Sequence, residues 1–299
     1  MTRRGVVGIV IALAYAVGIA FAVRAAQADG ADLLFDSATW LVWFAPFVGV
    51  IAAGLTKRTD PVIEGDRILR HDGPARLEHW THGIGTAALL VSGIAIGVWF
   101  LPALVSSGEP IRTWMNVHFV SVVMFLFGTF YYGTNTFLAT KRFKEHLPTR
   151  NALQFTKRHY GRLLGMKKYS MPPETKYFES EKLAFLLALA STLVIIITGF
   201  LKVAAHAIDV PSGVMAVVTP VHDIATIAML AFFLAHVLFA AVLPMGWPML
   251  RSMITGYIPL EHAKAEHAGW VAELERHGAE VPEFEGGQPP SKASDEHAA

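Results

Sequence analysis

Six apolar stretches recur along this 299-residue chain: about Gly5 to Val23, Thr39 to Leu55, Gly83 to Leu101, His118 to Leu138, Leu183 to Ala205 and His222 to Leu243. Each has roughly the 17 to 25 residues that a hydrocarbon core of ~30 Å demands of a crossing helix. The polar connections between them are long enough to turn the chain back each time. The pattern therefore predicts an all-α integral membrane helical bundle. Composition supports the same class, because 53% hydrophobic residues leave too little polar surface for a soluble globule of this length.

Charge adds a direction. Arg3 and Arg4, then Lys57, Arg58, Arg67, Arg70 and Arg76, then the run from Lys141 and Arg142 through Lys144, Arg150, Lys157, Arg158, Arg162, Lys167, Lys168 and Lys176, and finally Arg251 all fall on one side of the alternating segments. The other side carries little beyond Arg24, Arg112 and Lys202. By the positive-inside rule the start of the chain, the long loop after the fourth segment and the C-terminus are cytoplasmic. The net charge of +1 hides this sidedness and gives no nucleic-acid footprint. The first segment reads equally as a retained helix or as a secretory signal cut after Ala28, and neither outcome changes the direction of the later segments.

Against this apolar background, His79, His118, His222 and His236 stand at the ends or within the span of long apolar segments, where an ionisable side chain is expensive without a task. His222 and His236 share one segment, and fourteen residues put them on nearly the same helix face, about 21 Å apart along the axis. The absence of cysteine excludes disulfides, thiolate iron–sulfur clusters, covalent haem attachment and a cysteine-ligated molybdenum within the chain. A metal here must be held by histidine or oxygen, which points to non-covalent b-type haem. Segment direction sorts the four histidines into two levels, His118 with His222 outside and His79 with His236 inside, each pair offering two axial imidazoles from different helices. His82, one turn from His79, and His206 are competing ligands. His146, His159, His262, His267, His277 and His297 fall in solvated stretches that predict structural or incidental roles.

Arg76-Leu77-Glu78-His79-Trp80 at a helix entrance, His118 thirty-nine residues later, the His222/His236 pair in the last helix and Gly256-Tyr257 after it resemble the cytochrome b (gamma) subunit of membrane-bound formate dehydrogenase, within the wider di-haem cytochrome b family of hydrogenase and formate dehydrogenase membrane subunits. The likeness covers about residues 70 to 275. It implies a four-helix core binding two b haems, His118/His222 the outer and His79/His236 the inner, with one or two extra N-terminal helices. It further implies a molybdenum or tungsten catalytic (alpha) subunit that oxidises formate, an iron–sulfur (beta) subunit, and this chain as the electron-transfer subunit that reduces menaquinone or ubiquinone beside the inner haem. The segment Lys176-Tyr177-Phe178-Glu179-Ser180-Glu181-Lys182 departs from the family's loop by lacking its asparagine, leaving Tyr177 and Lys182 as quinone-contact candidates. Interfacial anchoring explains both residues as well.

Arg76 is a candidate partner for a haem propionate, or simply a positive-inside anchor. Glycines 83, 85, 93, 97, 128 and 133 either make room for a porphyrin or serve helix packing. Trp80, Trp99 and Trp114 read as interfacial belt residues. The resulting organisation is 1–28 signal or first helix, 29–69 extension with a transmembrane helix, 70–257 four-helix di-haem domain, and 258–299 a cytoplasmic amphipathic helix followed by a disordered tail. A hydrogenase or thiosulfate-type cytochrome subunit is the near alternative. A haem-free anchor or transporter is the distant one, weakened by the lack of an inverted repeat or a midplane-broken helix.

Overall fold

The computed structural model describes residues 3–27, 33–98, 101–140, 142–170 and 172–281. The cleavage point after Ala28, Trp99, Lys141 and the tail from residue 282 lie outside them.

All six apolar stretches are helical. They form α1 (Arg3–Gln27), α3 (Trp40–Gly54), α4 (Gly73–Ile96), α5 (Gly108–Gly133), α7 (Glu179–Ala204) and α8 (Ser212–Val237), with a short α2 (Leu34–Ser37) between the first two. Single π-helical turns extend α5 over Thr134–Ala139 and α8 over Leu238–Val242. Among the described residues, three helices are long and apolar enough by themselves to cross a membrane: Gly108–Ala139, Glu179–Ala204 and Ser212–Val242. The chain is an all-α membrane bundle.

Three helices begin about ten residues before the apolar stretches that announced them. Asp72 starts α4, its Oδ1 accepting the Ala75 N–H at 3.0 Å, with Pro74 in the first turn. Glu109 occupies the first turn of α5, where a carboxylate favours the positive end of the helix dipole. Pro211 precedes α8, which runs on through Pro220. As a result His79, His118 and His222 do not sit at helix ends as expected, but six, ten and ten residues inside them. At ~1.5 Å per residue, His118 and His222 are roughly 15 Å from their helix starts.

α4 packs on α5, α7 packs on α8, and α1 and α3 cover another face of α5. The α4–α5 contact is a backbone approach: a Cβ on Gly128 would lie 3.0 Å from the His82 backbone nitrogen, so only glycine fits. Between the α4–α5 and α7–α8 hairpins direct approach is sparse, which leaves a slot running along the bundle.

One end of the bundle carries a small cap. β1 (Ile63–Glu64), β2 (Arg67–Leu69) and β3 (Tyr257–Pro259) form an antiparallel sheet in that order, with Ile68 opposite Ile258. α6 (Ala152–Leu163) and α9 (Trp247–Thr255) lie at the same end, and α9 stops at Gly256, whose φ of +98° is open to glycine. The amphipathic helix expected over 259–277 is instead two short helices, α10 (Leu260–Glu266) and α11 (Ala268–Arg276), broken at His267. On either side of the break, Leu260, Ala263, Trp270 and Val271 close with Ile68 and Ile258 into one apolar core.

Candidate functional site

The slot holds histidines at two heights. Far from the cap, His118 of α5 and His222 of α8 line one cavity of about 170 Å³, together with Gly93, Phe125, Gly199 and Met229 among others. The two imidazoles are held in the same way. Ser92 Oγ lies 2.8 Å from His118 Nδ1, and Thr198 Oγ1 lies 2.8 Å from His222 Nδ1. Each hydroxyl spends its single proton on its own helix: Ser92 donates to Ala88 O at 2.7 Å and Thr198 to Val194 O at 2.6 Å. Each must therefore accept from the imidazole, which fixes the proton on Nδ1 and leaves the Nε2 lone pair to face outward.

The residue after each hydroxyl is a glycine. A Cβ on Gly93 would touch His118 Cε1 at 3.9 Å, and one on Gly199 would touch His222 Cε1 at 3.6 Å. Ser92-Gly93 on α4 and Thr198-Gly199 on α7 thus do the same two jobs for the neighbouring helix of each hairpin, orienting an imidazole and keeping the space beside it clear. This doublet was visible in the sequence, as a small hydroxyl followed by glycine in the helix preceding each histidine, but a search centred on the histidines passes over it.

Nearer the cap, the rings of His79 and His236 are 6.1 Å apart and inclined at 58°. His236 also stacks on Phe232 at 5.6 Å, and His79 meets Trp80 edge-on at 5.3 Å. Trp80 Nε1 donates to Met253 O and Arg76 Nη1 to Ile254 O, so both side chains tie α4 to the end of α9. The competing histidines are engaged elsewhere: His82 lies against Phe125 at 4.8 Å, and His206, on the cavity rim, bonds Asp36 through Nδ1 at 2.6 Å while stacking on Phe35. The glycines divide by role, Gly85 and Gly128 serving α4–α5 contact and Gly93 facing an imidazole.

Beside the His79/His236 level is a polar cluster. Tyr177 packs against His146 at 4.7 Å and His71 at 6.2 Å, and the Arg70 guanidinium lies 5.4 Å from its ring. Arg70 is buried, donating to Lys176 O at 2.7 Å and pairing with Glu181 at 3.4 Å. His71 Nε2 and Arg70 Nε are buried with no hydrogen-bond partner among the described residues. Burial brings the Lys176 ammonium down to about 8, against the opposing pull of Glu145. Tyr177 thus packs within a cluster of polar side chains. Lys182 is buried too, bonded to Glu179 at 2.7 Å, and does not enter the pocket by any described contact.

Residues 70–256, well over half of the chain, match one family without interruption. The chain belongs to the prokaryotic cytochrome b561 family. No curated protein sequence matches it significantly. Membership makes it a membrane electron-transfer protein of the kind that holds b haem, generally through histidines. The slot of this cytochrome suits such a group. An imidazole nitrogen ~2 Å from a metal, as zinc–imidazole bonds show, puts the ring centre about 1 Å further out, so two axial rings stand roughly 6 Å apart. The 6.1 Å between His79 and His236 agrees with that separation. At the other level the fixed tautomers turn a lone pair of each imidazole away from its hydroxyl, and the glycines keep the neighbouring space open.

Two expected outcomes follow directly. Ser92→Ala should weaken haem retention about 10- to 100-fold at the His118 level, the usual effect of losing a partner that orients a ligand. Ser92→Thr should restore it, and haem content per chain in the purified cytochrome checks both. The second concerns the cap, where sequence reading assigned His159 and His267 to solvent. His267 is fully buried, with Nδ1 2.7 Å from Thr175 O, and His159 is buried against Phe178. Burial first, then Arg70, holds His267 down at about 3, and the same causes hold His71 well below the usual histidine range. A depressed folded value contributes stability above the unfolded pKa of ~6.5 and loses it as pH falls toward the folded value, by about 1.4 kcal/mol per pH unit for each group. Glu174, raised by burial to about 7, acts oppositely, gaining stability as pH falls from about 7 to its unfolded value. Two histidines outweigh one carboxyl, so the protection of amides over 257–277, taken relative to their intrinsic exchange rate at each pH, should fall between about pH 7 and about pH 5, and His267→Gln should blunt the change.

Proposed function

We propose that this cytochrome is the membrane subunit of a respiratory formate dehydrogenase, carrying electrons from an iron–sulfur partner subunit by way of two b haems to menaquinone or ubiquinone. The observation that carries the reading is the pair of imidazole levels: His118 and His222 with lone pairs set by Ser92 and Thr198, and His79 and His236 with rings 6.1 Å apart. Bound there, b haem supplies one-electron transfer. The donor is inferred from the Arg76-Leu77-Glu78-His79-Trp80 entrance and the spacing of the later histidines, and the molybdenum or tungsten subunit that oxidises formate is a separate chain.

Quinone, as substrate, takes up two protons with its two electrons, and the polar cluster offers groups suited to that. Burial keeps the Tyr177 phenol protonated, so its O–H can donate to a quinone carbonyl. His71 Nε2 is a buried atom without a partner on the same pocket. The Lys176 ammonium, at about 8, exchanges its proton near neutral pH. Arg70 fixes the pocket through Lys176 O and Glu181. Arg76 donates to Ile254 O through Nη1 and stays this reading's candidate partner for a haem propionate.

The test is a spectrum of membranes containing the chain with its genomic neighbours. Formate should reduce the b-type haem, and an added quinone analogue should reoxidise it; Tyr177→Phe should slow the second step and not the first. Reduction by hydrogen gas and not formate would assign the chain to a hydrogenase instead. A colourless chain would end both readings.

A further inference from the structure

α6 and the irregular segment that returns beside it form an open cleft that belongs to neither histidine level. Its volume is about 430 Å³, and it is lined by Gln154, Lys157, Arg158, Lys168, Tyr169 and Ser170. The chain reverses at Gly165, where φ is +78°, and Tyr169 then packs on Gly161 so closely that a Cβ there would lie 2.4 Å from its ring. This reversal sets Lys168 to Ser170 alongside the first turns of α6. Arg158 Nη2 donates to Ser170 Oγ at 2.6 Å, and the Lys168 ammonium lies 5.1 Å from the Tyr169 ring, so two of the three cations are steadied within the cleft.

The geometry points to a binding site for the phosphate headgroup of an anionic glycerophospholipid. The cleft presents three cations, two hydroxyls and an amide, and no carboxylate. No acidic residue occurs between Glu145 and Glu174, so no carboxylate of this loop competes for the cations. α6 joins α5 to α7, two membrane-capable helices, which holds it at a membrane face. Leu153 and Leu164, at either end of α6, are 76% and 78% exposed, while the buried His159 turns from them onto Phe178. Exposed leucines flanking a cationic cleft suit an acyl-chain boundary with a phosphate at its edge, where each Lys or Arg adds to attraction for anionic lipid. An acidic protein face would match the charge but gives the leucines no role.

The test is native mass spectrometry of the full chain in detergent, titrated with cardiolipin, phosphatidylglycerol or phosphatidylcholine. Cardiolipin and phosphatidylglycerol should bind at least about tenfold more tightly than phosphatidylcholine, and Lys157→Gln/Arg158→Gln/Lys168→Gln should abolish that preference. A control, Arg150→Gln/Arg162→Gln/Lys167→Gln, removes equal charge from the same loop outside the cleft and should retain it. Equal loss in both triples would reduce the effect to a diffuse field and overturn the site. Full displacement by millimolar inorganic phosphate would reassign the cleft to free phosphate, and displacement by a polyglutamate peptide would reassign it to an acidic protein. Either result overturns the lipid assignment.

Discussion

Replacing His118 with Ala should remove one b haem and leave the other, and replacing His222 should remove the same one. Both imidazoles border one cavity and each is oriented by a hydroxyl from the adjoining helix, so either loss leaves a single axial ligand where two are needed. The double variant should be no worse than either single, because residues that act as one unit do not add. His79→Ala and His236→Ala should together define the second haem, and these should also block quinone reduction, since the Tyr177 pocket lies at their level. His82→Ala and His206→Ala should keep both, because their rings are committed to Phe125 and to Asp36 with Phe35. Haem content by pyridine haemochrome and a redox titration of each variant check the set. Loss of one common haem from His118→Ala and His236→Ala would break the pairing, and with it the two-level reading of the slot.

Hydropathy located six helices because long apolar runs have few alternatives in a membrane protein. It misplaced their beginnings because the first turns of α4 and α5 are polar, carrying Arg76, Glu78 and His79 in one and Glu109 and Arg112 in the other. A window that averages over 19 residues loses such turns, whereas the Asp72-Gly73-Pro74 start is a cap signal readable residue by residue. The polar start of α5 likewise placed His118 at a helix end, whereas the residues before His222 are mostly apolar and simply continue α8 to Ser212. The direction of the segments still brought the right side chains into one cavity, because pairing depends on relative height and both helices had been shortened by ten residues at the same end. The cap was illegible for another reason. Its strands are two or three residues long, too short for any alternation to register, and its core joins Ile68 to Trp270 across two hundred residues. Burial of His267 follows from that closure and from no local pattern.

Arg58→Ala should be the most damaging substitution outside the matched region. Arg58 follows α3 in the N-terminal extension, and its Nε lies 2.9 Å from Asp72 Oδ2 while Nη1 lies 3.3 Å from Glu78 Oε1. Asp72 and Glu78 side chains are only 3% and 7% exposed. Asp72 has further partners in the N–H groups of Thr59 and Ala75, but among the described residues Glu78 has otherwise only Asn135 Nδ2 at 3.3 Å. Removing one partner from a buried ion pair leaves an uncompensated charge and costs about 3–5 kcal/mol. That cost falls on the first turns of α4, one residue before His79, so thermal unfolding and loss of the cap-side haem should move together. Arg58→Ala/Glu78→Gln should recover much of the stability, since the amide can stay buried against Asn135 without a counter-charge. If the double variant unfolds as early as the single, the charge is not the cause, and Arg58 acts instead by packing the extension onto α4. If it recovers stability and haem together, Arg58 acts on the His79 turn by neutralising Glu78.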